Sequence, residues 1–93
     1  PPEKIQNVRN WWINSRIIVR RLLNKKEFLN AYKILQKHNL PLSTKSGLEA
    51  EWLAGWVAFH HLKMNDKAIQ HFENVFNNSD NNFRAKSSYW LAL

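Results

Sequence analysis

The sequence of 93 residues contains no cysteine, two glycines, three prolines and no long run of apolar residues. The absence of cysteine excludes disulfide scaffolds, thiolate metal sites and cysteine nucleophiles. The scarcity of glycine and proline leaves few turn signals, which disfavours a sheet protein. No apolar stretch reaches the roughly 20 residues that a transmembrane helix requires, so we expect no membrane span.

Acidic residues are also scarce: seven Asp and Glu face fourteen Lys and Arg, giving a formal charge of +7. Arg9, Arg16 and Arg20 fall on one stripe of a predicted helix, whereas the lysines are scattered. A basic helix face opposite an apolar one is ordinary for a soluble protein, and no nucleic-acid recognition motif accompanies the charge. We therefore expect no nucleic-acid partner.

Apolar residues recur with a helical period along most of the chain, which predicts an all-α fold. The length allows one domain of antiparallel helical hairpins over residues 1–93. The chain begins Pro1-Pro2 without an initiator Met, and we expect it to be a segment of a longer protein. The five predicted helices span about residues 3–23, 25–38, 46–63, 66–77 and 82–93.

Polar residues mark the expected helix ends. Asn24 followed by Glu27, and Ser46 followed by Glu49, match the capping-box spacing, in which two side chains satisfy free backbone N–H groups. Pro41 is expected to end the second helix, since a proline disfavours helical geometry in the residue before it. Asn65 or Asp66 is the expected cap of the fourth helix.

A degenerate internal repeat favours stacked hairpins over a four-helix bundle. Trp52, Phe59, Ala68 and Phe72 have the spacing of a tetratricopeptide repeat, in which a small alanine lets two helices approach and large residues fill the crevice between hairpins. The shift that places Val19 on Trp56 also superposes Leu22 on Phe59, Ala31 on Ala68 and Leu35 on Phe72. The pattern predicts a fragment of an α-superhelix whose unfinished ends could self-associate.

No pattern in the chain indicates catalysis, a cofactor or a metal. His60 and His61 are adjacent and diverge on a helix, His71 lies on the next helix, and no HExxH motif is present. Glu49 and Glu51 also diverge, and most acids stand where helix starts and solvent-exposed faces favour them. We expect the histidines to be structural.

Tryptophan is unusually frequent, with five residues. Trp12, Trp52 and Trp56 are expected to pack in the core, because Trp52 and Trp56 lie four apart on one helix face. Trp11 and Trp90 are the two candidates to line a concave groove.

Five ordered motifs resemble the α-superhelical domain of soluble lytic murein transglycosylases. The resemblance covers roughly residues 11–93, with one departure at the end, where the family usually continues with Gly and Arg rather than Leu91-Ala92-Leu93. The matching stretches are Trp12 with Arg20-Arg21, Ala31-Tyr32 with His38, Ala50 through Trp56, Ala68 with His71-Phe72-Glu73, and Arg84 through Trp90 with Tyr89. Within these motifs, Gly55 is one of the residues that we expect to have a structural role.

The resemblance implies a periplasmic parent enzyme that cleaves the β-1,4 bond between N-acetylmuramic acid and N-acetylglucosamine to 1,6-anhydro products. In the family, the catalytic Glu precedes a Ser within a separate lysozyme-like domain, and no Glu here is followed by Ser. The segment would thus be non-catalytic, with peptidoglycan and its own catalytic domain as partners. Arg9, Arg16, Arg20, Trp11 and Trp90 are its expected glycan or anion contacts.

One alternative from a different class stays open. A tetratricopeptide-like adaptor would bind a peptide of another protein on its concave face. The coding sequence that follows Leu93 distinguishes the two, because a lysozyme-like domain belongs only to the first.

Overall fold

The computed structural model describes residues 5–78, and within this range all the regular secondary structure is α-helical. Residues 5–78 form four helices joined by three connections and contain no strand. The predicted fifth helix, with Tyr89 and Trp90, lies outside them. The helices are α1 (Ile5–Asn24), α2 (Phe28–Gln36), α3 (Lys45–His60) and α4 (Asn65–Asn78).

The helices pack mainly with their neighbours in sequence. Residues 25–27 connect α1 to α2 and residues 61–64 connect α3 to α4, and each of these pairs is in contact. α2 also packs on α3, whereas α1 reaches α3 at fewer points. A short connection between two contacting helices makes a hairpin. Since residues 5–78 contain only helices and connections, the all-α prediction is confirmed for them.

The core forms around a stripe of small residues on α3. Ala50, Ala54 and Ala58 recur every four residues and are fully buried. Their small side chains allow neighbouring helices to approach α3 closely. The buried cluster also includes Val8, Trp12, Val19, Ala31, Tyr32, Leu35, Leu40, Val57 and Ala68.

The cap of α3 differs from the expectation. Thr44, rather than Ser46, is the N-cap: its Oγ1 accepts a hydrogen bond from the Gly47 N–H at 3.0 Å and donates one to the Pro41 carbonyl at 2.6 Å. The turn that follows Pro41 places Thr44 in position, so α3 begins at Lys45. Ser46 and Glu49 therefore do not form the expected capping box.

The other helix boundaries are also corrected. Asn24 is the last residue of α1, and Glu27 is the N-cap of α2 without a side-chain hydrogen bond to the backbone. α4 begins at Asn65 itself, with Asp66 in its first turn. Helices α2 and α3 end earlier than expected, at Gln36 and His60.

Three non-glycine residues with left-handed backbone conformations lie in the connections between the helices. Lys26, Asn39 and Lys63 have φ values of 62°, 47° and 57°, and each stands just after a helix. At the end of α1, the N–H groups of Lys26 and Glu27 donate to the carbonyls of Leu23 and Leu22, which is a Schellman motif. The chain reverses at these three positions. Lys26 and Lys63 fall within the expected bounds of the second and third helices, whereas Asn39 lies just beyond the expected end of the second.

Candidate functional site

A carboxylate lies inside the helical packing, on the face of α3 between α2 and α4. Glu51 is 7% exposed, although most acids were expected at helix starts or on solvent faces. Both of its oxygens accept hydrogen bonds from other parts of the chain. We call Glu51 with Tyr32, His38, His71 and Asn74 the Glu51 network.

The first partner of Glu51 is His38, which follows α2. The Leu40 N–H donates to His38 Nδ1 at 2.8 Å, and Nε2 lies 2.8 Å from Glu51 Oε1. Since Nδ1 accepts, the ring proton is on Nε2, which donates to the carboxylate. The left-handed Asn39 makes this arrangement possible by turning Leu40 back onto the ring.

The second and third partners lie on α4, one turn apart. His71 Nδ1 lies 2.8 Å from Glu51 Oε2, and Asn74 Nδ2 donates to the same oxygen at 2.9 Å. The other ring nitrogen, His71 Nε2, lies 2.8 Å from the hydroxyl of Tyr32 on α2. Because a carboxylate can only accept, His71 Nδ1 donates to it, and Nε2 accepts from Tyr32 in the neutral ring.

The network shifts the pKa values of Glu51 and Tyr32. Burial by itself would raise the pKa of Glu51, but hydrogen bonds from His38, His71 and Asn74, with the charge of His71 when protonated, hold that pKa well below its ordinary value of 4.5. Burial and the nearby Glu51 carboxylate raise the pKa of Tyr32 above its ordinary value of 10.0. Glu51 is therefore ionised and Tyr32 neutral near pH 7.

This arrangement is suited to holding helices together rather than to catalysis. The Glu51 carboxylate accepts three hydrogen bonds and is shielded from solvent, so no substrate atom can approach it in this conformation. His38 and His71 are also used on both ring nitrogens. His38, at 5% exposure, is buried within these contacts.

Residues of the expected repeat pattern meet between α3 and α4. A Cβ on Gly55 would lie 2.7 Å from Phe72 Cε1 and 3.1 Å from His71 Cβ, so the absent side chain allows the two helices to touch. Ala68 is fully buried, in keeping with its expected place as the small residue of the hairpin. Gly55 thus shares with Ala68 the role assigned to alanine in the pattern.

The large residues of that pattern are less buried than expected. Trp52, Trp56 and Phe72 are half-buried, and Phe59 is 48% exposed rather than enclosed in a crevice. The alanines of α3 point into the core instead. Trp12 is buried as predicted, at 3% exposure.

Ring stacking joins the first residue of α2 to the connection between α3 and α4. The His61 ring stacks on Phe28 with centroids 3.9 Å apart and planes 5° from parallel, and Trp56 meets His61 edge-on at 5.1 Å. Burial, followed by the positive charges of His60 and Lys63, lowers the pKa of His61 below its ordinary value of 6.5. His61 thus has a packing role, as expected for the histidines.

A groove of about 520 Å³ lies between α1 and the start of α3. Its sides include the basic residues Arg9, Arg16 and Lys45, and Glu49 is its acidic residue. We call it the basic groove; its other lining residues are Val8, Trp12, Ile13, Thr44 and Ser46.

Glu49 is bound within the groove rather than to its own helix start. The Trp12 indole Nε1–H donates to Glu49 Oε2 at 3.0 Å, while Arg16 Nη1 and Lys45 Nζ lie 3.6 and 4.0 Å from the carboxylate. The indole contact joins α1 to α3, and neither residue was expected to make it.

The expected anion contacts are only partly brought together. Arg9 and Arg16 line the basic groove, whereas Arg20 is exposed on α1 outside its lining. Trp11 is half-buried against the core cluster. Trp90 lies outside the described residues.

Sequence reasoning missed the burial of Glu51. A signal was present, because Glu51 stands on α3 next to Ala50 and one turn before Ala54 and Gly55, among small apolar residues. An acid on such a face needs hydrogen-bond donors from a neighbouring helix. Which donors supply them depends on helix packing.

Residues 5–78 contain no group of three His, Cys, Asp or Glu side chains arranged to hold a metal ion. Over the same residues, no helix has the length and apolar character needed to cross a membrane. No protein-family model matches the chain, and neither curated proteins nor solved structures give a significant match.

Proposed function

We propose that this chain is a non-catalytic segment of the superhelical domain of a soluble lytic murein transglycosylase. In the periplasm it would help to build the curved wall beside the lysozyme-like domain that cleaves peptidoglycan. Its work is architectural: it holds helical hairpins in register and positions glycan for the catalytic domain.

The observation that supports this proposal is that the motif residues are one another's contacts. His38 follows α2, Glu51 and Gly55 lie on α3, and His71 and Phe72 lie on α4. Glu51 bonds both histidines, and Gly55 lies against His71 and Phe72. These residue types depend on one another physically: the buried carboxylate requires the two histidine donors, and the close approach of His71 and Phe72 requires a glycine.

The packing order favours a superhelical segment over a closed bundle. α2 packs on α3, and α1 and α4 flank this central pair. Such nearest-neighbour packing can be extended at either end by further hairpins, as in an α-solenoid. Tetratricopeptide-like stacking of about five helices is the form that we propose.

The basic face of α1 would be the part nearest to substrate. Arg9, Arg16 and Arg20 are all exposed, and peptidoglycan carries carboxylates on its stem peptides and lactyl groups. These arginines would attract the polymer, while the bond cleavage belongs to the catalytic domain.

The test is activity on purified sacculi. We expect the 93-residue chain to release no 1,6-anhydro muropeptides, and the full-length product of its gene to release them. Replacing the Glu of the Glu-Ser dipeptide in the full-length protein with Gln should abolish release, because that Glu is the acid and base.

Two results would overturn the proposal. One is a coding sequence that ends, or continues into further repeats, without a lysozyme-like domain; further repeats would favour the adaptor. The other is release of muropeptides by the 93-residue chain itself. The products are identified by mass spectrometry, since the 1,6-anhydro form is lighter than the hydrolytic product by one water.

A further inference from the structure

We propose that the basic groove between α1 and α3 binds an acidic peptide segment whose groove-facing side chains, at every second position, run acidic, apolar, acidic. The inference follows from the groove alone and does not rest on the proposed function. Its ligand is a partner protein's extended segment with two or more Glu or Asp residues.

The charge of the groove supports an anionic ligand. Arg9 and Arg16 are exposed and lie seven residues apart on α1, so they face the groove from the same side two turns apart. Lys45 stands on the opposite wall, at the start of α3, where the helix dipole adds positive potential. Three cations against Glu49 leave the groove net positive.

The apolar part of the groove argues for a peptide. Ile13 is 37% exposed between Arg9 and Arg16 on the same face of α1, and Val8 and Trp12 close the space beneath it. An extended peptide turns successive side chains to opposite faces, so the side chains on one face are roughly 6.6 Å apart, twice the rise per residue. Acidic side chains at positions i and i+4 can then reach the two arginines, while an apolar side chain at i+2, on the same face, covers Ile13.

Glu49 sets the selectivity of the groove. Its carboxylate is held by the Trp12 indole and lies near Arg16 and Lys45, so it competes with any anion that enters. A nucleic-acid backbone, with a charge on every phosphate, cannot avoid Glu49. A peptide can place an uncharged side chain opposite it.

The test uses a fluorescein-labelled octapeptide of sequence Glu-Ser-Leu-Ser-Glu-Ser-Leu-Ser, which presents Glu and Leu in turn on one face when extended. Binding is measured by fluorescence anisotropy at about 0.05 M salt, where charge interactions are weakly screened. The same peptide with Gln for Glu, the same peptide with Ser for Leu, and an oligothymidine strand of equal length are compared. We expect the Glu-Leu peptide to bind most tightly of the four.

The matched variants differ only in where the charge is removed. Arg9→Gln with Arg16→Gln removes two charges from the groove, and Arg20→Gln with Arg21→Gln removes two from the same helix outside its lining. We expect a loss of about tenfold in affinity for the first pair and less than about twofold for the second, since distant exposed charges are screened.

The Glu49→Gln variant gives a prediction of opposite sign. The amide oxygen can still accept from the Trp12 indole, but the competing charge is gone, so affinity for the peptide should rise about threefold or more. The Trp12 indole N–H signal in a nitrogen-proton NMR spectrum should shift on titration. Its position in the free variants also reports that the α1–α3 contact has formed.

Equal losses for the two arginine pairs would overturn the proposal, because they would indicate attraction to net charge alone. Tighter binding of oligothymidine, or a Trp12 signal that does not move at saturation, would also overturn it. Failure here leaves the sacculus experiment unaffected, because that experiment does not depend on the groove.

Discussion

The Glu51 carboxylate on α3 lies 2.8 Å from His71 Nδ1 on α4. Gly55, one turn further along α3, meets the Cβ of the same His71. A small residue and a buried acid therefore act on one neighbour: the first permits the approach, and the second fixes the orientation of the ring. Stability should depend strongly on both.

Glu51→Gln should destabilise the fold by about 2–4 kcal/mol. The amide matches the carboxylate in shape, but its NH₂ group must face a donor among His38, His71 and Asn74, leaving buried hydrogen bonds unmade. Urea unfolding followed by circular dichroism measures the loss. Glu73→Gln, at an exposed position on α4, is the control and should change the free energy of unfolding by less than about 0.5 kcal/mol. Equal effects of the two variants would show that the network does not stabilise the fold.

Stability should fall in acid because Glu51 must be protonated. Its pKa is lower in the folded chain than the ordinary 4.5, so its contribution is fully present above about pH 4.5 and is lost as the pH falls toward the folded value. The slope attributable to one such group reaches about 1.4 kcal/mol per pH unit. Unfolding measured between pH 7 and the acid limit of folding tests this, and Glu51→Gln should flatten the curve below pH 4.5. An unchanged slope in that variant would assign the acid sensitivity to other groups.

Tyr32→Phe should cost about 1 kcal/mol at neutral pH, because it removes the hydroxyl that bonds His71 Nε2 while keeping the ring in the core. The pKa of Tyr32 is raised in the folded chain, so its contribution is present below pH 10.0 and lost as the pH rises through the folded value. The variant should therefore lose less stability than the parent above pH 10. Thermal unfolding at neutral and alkaline pH, with tyrosine absorbance as the titration signal, provides the measurement.

Gly55→Ala should destabilise the chain by about 1–2 kcal/mol, although alanine favours a helix over glycine by about 1 kcal/mol. The added methyl group would lie 2.7 Å from Phe72 Cε1, so the ring or the helix must move. Phe72→Leu in the same chain should recover part of the loss by removing the contacted ring atoms. A coupling energy near zero in the double-mutant cycle would contradict the contact.

Lys63→Gly should stabilise the chain by about 0.5–1 kcal/mol. Lys63 has a φ of 57°, a conformation that costs a residue with a Cβ about 1–2 kcal/mol, more than the entropy that glycine loses on folding. Lys33→Gly removes the same charge from the last turn of α2, where glycine should instead destabilise by about 0.5–1 kcal/mol. Thermal unfolding of the two variants should thus shift in opposite directions, and a shared direction would exclude a left-handed residue 63.

Helical periodicity in the sequence was sufficient to predict four of the helices approximately, because an amphipathic period is a local property of the chain. It also identified Trp12 and Ala68 as buried. The exact ends were not predictable in this way: Thr44 and Ser46 are both chemically suitable caps of α3, and the turn after Pro41 decides between them.

The hydrogen bonds of the Glu51 network were decided by tertiary structure alone. Glu51, His38 and His71 are distant in sequence and belong to no motif of metal or catalytic spacing, so nothing local brings them together. Packing of α2 and α4 on the alanine stripe of α3 places the two rings at a carboxylate that needs donors once water is excluded. The sequence by itself shows that Arg9 and Arg16 are charged and share one face of α1. Only the packing of α1 beside the start of α3 makes that face one side of a groove.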